Sequence, residues 1–228
     1  MKQKRKKGQC VYCGRVTTVT IDHIPPKNIF LKPHPCTLIT VPSCEVCNNS
    51  FSKDDEYFRL VLMCRYGMSS IPDATKIRDI ILRSLKHPKK EGFKRYVNNA
   101  IRFRPLCTPA GIFLGKAVMF DVDIARTMNV ASRIVKGLFF HHSGSRLKDE
   151  CEIVTLPIQG MDLYEYELKE QRIPFSGIKP IIIGNNAFSY QYRFMKSIRY
   201  GSFWRLLFYN RLEFICHTKH KSTFNNKH

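Results

Sequence analysis

No stretch of this 228-residue sequence is long and apolar enough to span a bilayer. The basic start, Met1 to Lys7, leads straight into Gly8, Gln9 and Cys10, without the hydrophobic core of a secretion signal. The expectation is a cytoplasmic, reducing setting with no membrane partner. Acidic side chains are scarce, with 18 Asp and Glu against 38 Lys and Arg and a formal net charge of +20. That excess costs self-repulsion and suits a polyanion, because basic groups laid along phosphates release condensed counterions. Charge alone does not separate nucleic acid from an anionic membrane surface or from a plain basic exterior. No internal repeat and no glycine-rich phosphate loop is present, which sets aside solenoids and nucleotide-driven motors.

What the chain does hold is core material. Hydrophobic residues make up 43%, with sixteen Phe and ten Tyr, enough for one sizeable domain or two small ones. Nine cysteines in a reducing compartment argue for metal rather than disulfides. Four of them form two C-x₂-C pairs, Cys10 with Cys13 and Cys44 with Cys47, with thirty residues between the pairs. Two such knuckles can converge on one tetrahedral Zn²⁺, whose preference for sulfur matches a four-thiolate shell and whose binding supplies folding free energy to a short module. A closed shell of this kind has no open position for hydrolysis. Cys36, Cys64, Cys107, Cys151 and Cys216 lack such partners and are expected as small buried hydrophobes.

Between the pairs, the β-branched alternation Val16 to Ile21 predicts a strand that Pro25 and Pro26 stop, leaving Asp22 and His23 at its end. Thr37 to Val41 predicts a second strand ended by Pro42. A helix is expected from Cys44 or Glu45, with a further turn or continuation from Ser52 to Cys64, Ser52 as its N-cap and Gly67 as its stop. Asp22 offers a carboxylate to a hard divalent ion, and His23, with an ordinary pKa of about 6.5, can take a proton from water near neutrality. Neighbours on a strand point opposite ways, so one can face a metal and the other a water.

The run Cys10-Val11-Tyr12-Cys13-Gly14, then Asp22-His23-Ile24-Pro25-Pro26-Lys27, then Val41-Pro42-Ser43-Cys44-Glu45-Val46-Cys47-Asn48-Asn49, resembles the HNH endonuclease family over roughly residues 10 to 60. The resemblance implies a ββα-metal fold, a structural zinc, and hydrolysis of DNA phosphodiesters with one Mg²⁺ or Mn²⁺. It makes Asp22 the first catalytic-metal ligand, His23 the general base and Asn48 a further ligand. Two positions depart from the pattern. Thr37 stands where a middle Asn is expected to orient His23. The last ligand falls near Ser52 by helical spacing, whereas ligand chemistry favours Asp54 or Asp55. Lys27 and Lys53 are candidate phosphate contacts.

The whole chain is therefore expected to be α+β. A basic arm spans residues 1–9, the zinc-stapled module 10–66, a basic helical segment 67–108 and a small α+β domain 109–228. The helical segment is read over 73–104, with an apolar stripe of Ile77, Ile80, Ile81 and Leu85 that Phe93, Tyr96, Val97 and Ile101 resume after Pro88. Lys86, Lys89, Lys90, Lys94, Arg95, Arg102 and Arg104 can line a phosphate backbone, and Pro105 with Pro109 marks a boundary. Further on, a strand is expected over Ile112–Phe120, a helix over Ile124–Phe140 and a series of short strands to Cys216. His141-His142 and Trp204 are read as packing residues, and His217 to Lys221 as either a phosphate contact or a frayed tail. DNA is the expected partner, with RNA or a specificity-giving protein as further candidates, and anti-phage defence or mobile-element biology as the setting. The alternatives are a zinc-containing nucleic-acid-binding module without catalysis, and a scaffold that binds a protein partner.

Overall fold

A computed structural model of the chain describes residues 6–158 and 175–221; the first five residues of the expected arm and the last seven of the chain lie outside the described residues. The fold is mixed α+β. Three antiparallel strands come first: β1 (Lys6–Gln9), β2 (Val16–Ile24) and β3 (Ile39–Cys44), in the order β1-β2-β3. The end of the arm is thus an edge strand, Lys6 opposite Val19 and Gln9 opposite Val16. Pro42 does not end β3 but lies within it, opposite Ile21. Proline is tolerated there because β3 is the other edge, and the Pro42 carbonyl accepts a hydrogen bond from the Val11 amide at 3.0 Å.

Helix α1 (Glu45–Met63) follows without a break. Its N-cap is Cys44, whose sulfur accepts from the Cys47 amide, so Ser52 is mid-helix and bonds back to the Asn49 carbonyl at 2.9 Å. The first half of α1 is polar, while Tyr57, Phe58, Leu60, Val61, Leu62 and Met63 in the second half are buried. The helix ends at Cys64, ahead of Gly67.

Helices α2 (Pro72–Ser84) and α3 (Glu91–Ala100) flank the break at Pro88. Ile101 to Arg104 do not extend the helix. They begin β4 (Ile101–Cys107), which pairs with β5 (Phe113–Phe120) as a separate two-stranded ribbon. β-branched Ile101 with alternating Arg102-Phe103-Arg104 suits an extended chain, and Pro105 sits inside β4 opposite Lys116. Pro109 lies in the turn joining the two strands.

Helix α4 (Ile124–Ser143) is capped by Asp123, which accepts from the Arg126 amide at 3.1 Å. It packs against α1, β2 and β3 on one side and a five-stranded antiparallel sheet on the other. That sheet is ordered β6-β10-β9-β8-β7, from β6 (Cys151–Ile158), β7 (Ile181–Ile183), β8 (Phe188–Phe194), β9 (Ser202–Phe208) and β10 (Leu212–His220). Two turns with consecutive left-handed residues, Asn185-Asn186 and Tyr209-Asn210, close its hairpins, a geometry that matches strand twist. β10 runs through His220, so His217, Lys219 and His220 are sheet, not a frayed tail.

One apolar core runs from Cys10 through Phe58, Leu138 and Trp204 to Cys216. Trp204 is fully buried and His142 stacks on Tyr192 with ring centroids 4.0 Å apart, both as packing residues. Of the unpaired cysteines, Cys151 and Cys216 are buried, whereas Cys36, Cys64 and Cys107 are exposed because they sit on a loop, a helix end and the outlying ribbon. Among the described residues, no helix is long and apolar enough to cross a membrane.

Candidate metal centre and catalytic cleft

The turn after β1 carries the first two cysteines. The Cys10 amide donates to the Arg15 carbonyl and the Gly14 amide to the Cys10 carbonyl, both at 2.9 Å, folding residues 10–15 into a knuckle. Gly14 has φ +73°, and a Cβ there would lie 2.7 Å from the Arg146 guanidinium, so the position needs glycine twice over. Cys44 ends β3 and Cys47 lies in the first turn of α1. All four sulfurs lie within 4.8 Å of one another, and Cys13 Sγ is 3.8 Å from Cys44 Sγ. A tetrahedron with Zn–S bonds of about 2.3 Å has edges of about 3.8 Å. The four cysteines thus form a site that can hold a metal such as zinc. Arg15, donating to Cys13 Sγ at 3.4 Å, holds that thiol down to about 6, while burial and the neighbouring sulfurs push Cys47 up. Four sulfurs this close cannot all ionise alone, and a dication is what lets them.

Antiparallel pairing puts Asp22 opposite Val41 and His23 opposite Thr40 at the far end of β2. Asp22 is buried. Its Oδ2 accepts from the Tyr12 hydroxyl at 2.6 Å and its Oδ1 from the His23 amide at 2.9 Å. Burial first, then the Asp22 charge, pushes the Tyr12 phenol far above its ordinary range, so it stays a donor. His23 is half-buried. Burial, with Lys27 and His34 nearby, holds its imidazole below the ordinary value against the opposing pull of Asp22, which leaves a neutral ring at neutral pH.

Asn48, in the first turns of α1, donates through Nδ2 to Thr20 Oγ1 at 3.0 Å, two residues before Asp22 on the same strand. Its carbonyl oxygen and the remaining lone pairs of Asp22 are hard donors of the type a divalent cation takes, with water completing the shell. Of the other candidate ligands, Asp55 lies within electrostatic reach of Asp22 and Tyr12, while Ser52 and Asp54 are engaged elsewhere. Ser52 is exposed and bonded to its own helix. Asp54 pairs with Arg126 at 2.8 Å, and Asp55 with Arg133. Burial pushes the Asp55 carboxyl up to about 6 while Arg133 pulls the other way. Thr37 is exposed ahead of β3, and it is Thr40 that occupies the register position opposite His23.

Lys27 and Lys53 are exposed, as are Lys89, Lys94 and Arg95, whereas Lys90 is tied to Glu56 at 2.6 Å. The structure adds residues that the sequence does not single out. Arg133, on the inner face of α4, stacks its guanidinium 4.4 Å above the Phe51 ring, and Phe51 meets the Tyr12 ring edge-on at 4.9 Å. One signal was available: an arginine inside the apolar run Ala131 to Val135. A cavity of about 400 Å³ is bordered by Lys27, Lys32, His34 and Arg59, of which Lys27 and His34 act electrostatically on His23. These come from separate loops and helices, and only their proximity makes them a group.

No protein-family model, curated protein or solved structure matches the chain.

Proposed function

We propose that the chain is a metal-dependent endonuclease of the ββα-metal, HNH type that hydrolyses DNA phosphodiesters, with zinc in the Cys10, Cys13, Cys44 and Cys47 site. One observation carries the reading: Asp22 and His23 sit at the end of β2, and Asn48 is anchored to that strand through Thr20 by a helix whose N-terminus is fixed by the cysteines. A Mg²⁺ or Mn²⁺ ion held by Asp22 and Asn48 would supply Lewis-acid stabilisation of charge on the phosphoryl oxygens. His23, neutral at pH 7, accepts a proton from the attacking water. Tyr12 fixes the Asp22 carboxylate in place through its hydrogen bond. Lys27 lies within electrostatic reach of His23 and offers a cation to the phosphate.

The test compares native protein with His23→Ala on supercoiled plasmid in Mg²⁺ and Mn²⁺, with zinc content measured in both. Loss of cutting with zinc and folding unchanged supports the reading. Equal cutting removes His23 from the chemistry, and inert, well-folded native protein removes the enzyme. The second reading, a zinc-containing module that binds nucleic acid without cutting it, is favoured by the commitment of Asp54 and Asp55 to arginines. It predicts the same DNA affinity with or without His23.

A further inference from the structure

We infer that the cavity bordered by Lys27, His34 and Arg59 is a seat for one unpaired nucleotide of a DNA strand, its base inside and its phosphate on Arg59. The inference rests on the DNA-cutting reading for its choice of ligand and adds the form of the substrate.

The size and lining of the cavity set the class of ligand. About 400 Å³ falls in the range of small-molecule pockets and is too little for a stacked base pair with its backbones. Phe30, Leu31, Ile77 and Ile80 make the walls apolar, as a base face requires, and the rim carries cations with no carboxylate. A nucleotide, apolar at one end and anionic at the other, matches both the walls and the rim.

Two lining residues hold polar atoms that are buried and lack a hydrogen-bond partner: Arg59 Nε and Asn28 Oδ1. Such atoms are costly unless something completes them. Among the described residues, no group accepts a hydrogen bond from the Arg59 guanidinium, and burial lowers its pKa. A phosphate would satisfy that planar fork. Asn28 is already fixed through its other amide atom, which donates to the Asp55 carbonyl at 3.1 Å, so its acceptor is presented in one orientation. A base N–H is a fitting donor to it.

The walls do not wait for the ligand to form. The Ile29 carbonyl accepts from the Tyr209 hydroxyl at 2.7 Å, and Phe30 lies against Gly184, where a Cβ would come within 2.8 Å of its ring. The loop that lines the cavity is therefore clamped from the five-stranded sheet. Lys27 and His34, which border the cavity, both act electrostatically on His23, so the proposed base lies within charge range of a nucleotide seated there. A fully paired duplex keeps its bases stacked and leaves the cavity empty.

The test measures anisotropy of a short fluorescein-labelled DNA strand, alone and paired with its complement. It uses the full chain with no added divalent ion, which leaves the cysteine-bound zinc in place. The readout is the ratio of single-strand to duplex affinity, because loss of a charge at the surface weakens both alike. Native protein is expected to favour the single strand. Ile80→Glu is expected to lower the ratio by about tenfold, the scale of one lost base-stacking contact, and Arg59→Met to lower it by removing the phosphate contact of the seated nucleotide. Ile80 is 42% exposed, so its replacement keeps the fold even where Arg59→Met does not. A native ratio near unity, or one unchanged in Ile80→Glu, overturns the inference. Plasmid cutting reads the endonuclease proposal separately: an uncut plasmid with an Ile80-dependent ratio removes catalysis and keeps the nucleotide seat, and cutting with an unchanged ratio does the reverse.

Discussion

Tyr12, within the cysteine knuckle, and Asp22, ten residues on towards the end of β2, are joined by a 2.6 Å hydrogen bond that is buried from solvent. The bond links the metal-binding turn to the strand end that carries the candidate chemistry. Tyr12→Phe leaves a buried carboxylate short of a donor and is expected to cost about 1–3 kcal/mol of stability. Urea unfolding checks this, with zinc content unchanged because no cysteine is touched. An unaltered midpoint would mean that water replaces the hydroxyl at no cost.

Cys44 serves twice, as a metal-site thiol and as the cap of α1. Cys44→Ser can still cap the helix but weakens the metal shell. It is expected to lose bound zinc and to melt at lower temperature, whereas Cys64→Ser, at an exposed helix end, keeps both. Elemental analysis beside thermal unfolding separates the two roles.

Gly137, in the middle of α4, faces Ile24, and a Cβ there would come 2.5 Å from Ile24 Cγ1. Alanine at this site gains about 1 kcal/mol in helix propensity. Overpacking costs about 1–3 kcal/mol, and so wins. Gly137→Ala is expected to be destabilised in urea, and Ile24→Val in the same chain to recover part of the loss by removing a methyl from the contact.

His142 donates to or accepts from the Tyr190 hydroxyl at 2.9 Å, and burial, with His141 alongside, lowers its pKa to about 4 from an ordinary 6.5. Because the folded pKa lies below the unfolded one, the unfolded chain binds the extra proton between these values. Stability from this residue is full above pH 6.5 and is lost as the pH falls from 6.5 towards 4. His142→Gln is expected to flatten that part of the stability curve, as read from urea midpoints across the range.

Arg133 and Asp55 form an ion pair, with Arg133 largely sequestered from solvent. Removing only the cation in Arg133→Met strands a carboxylate and is expected to cost about 3–5 kcal/mol. The double variant with Asp55→Leu should recover much of that, and a double-mutant cycle in urea reads the coupling.

The paired cysteine spacings and the strand end at Asp22-His23 are legible in the sequence because both are local patterns: a two-residue gap, and a β-branched run stopped by prolines. The apolar stripe of α4 is legible for the same reason. Pro42 misleads, since whether a proline ends a strand depends on which side of the sheet is open, a property of topology. Thr37 lies ahead of β3, which begins two residues later, so Thr40 takes the register position across from His23. Asp54 and Asp55 look like free ligands along the chain, yet their arginines are 72 and 78 residues away. Charge partners at that separation leave no trace in local spacing.

The hydrogen bond from Tyr209 to the Ile29 carbonyl spans 180 residues. It gives the molecule an order of assembly. The knuckle and its cysteines are complete once the first helix has emerged from the ribosome, but the loop beside His23 gains this anchor only when the final hairpin of the five-stranded sheet has been made. A chain still under synthesis can thus complete its four-cysteine site long before the loop is anchored, and a product truncated before Tyr209 is left without that clamp.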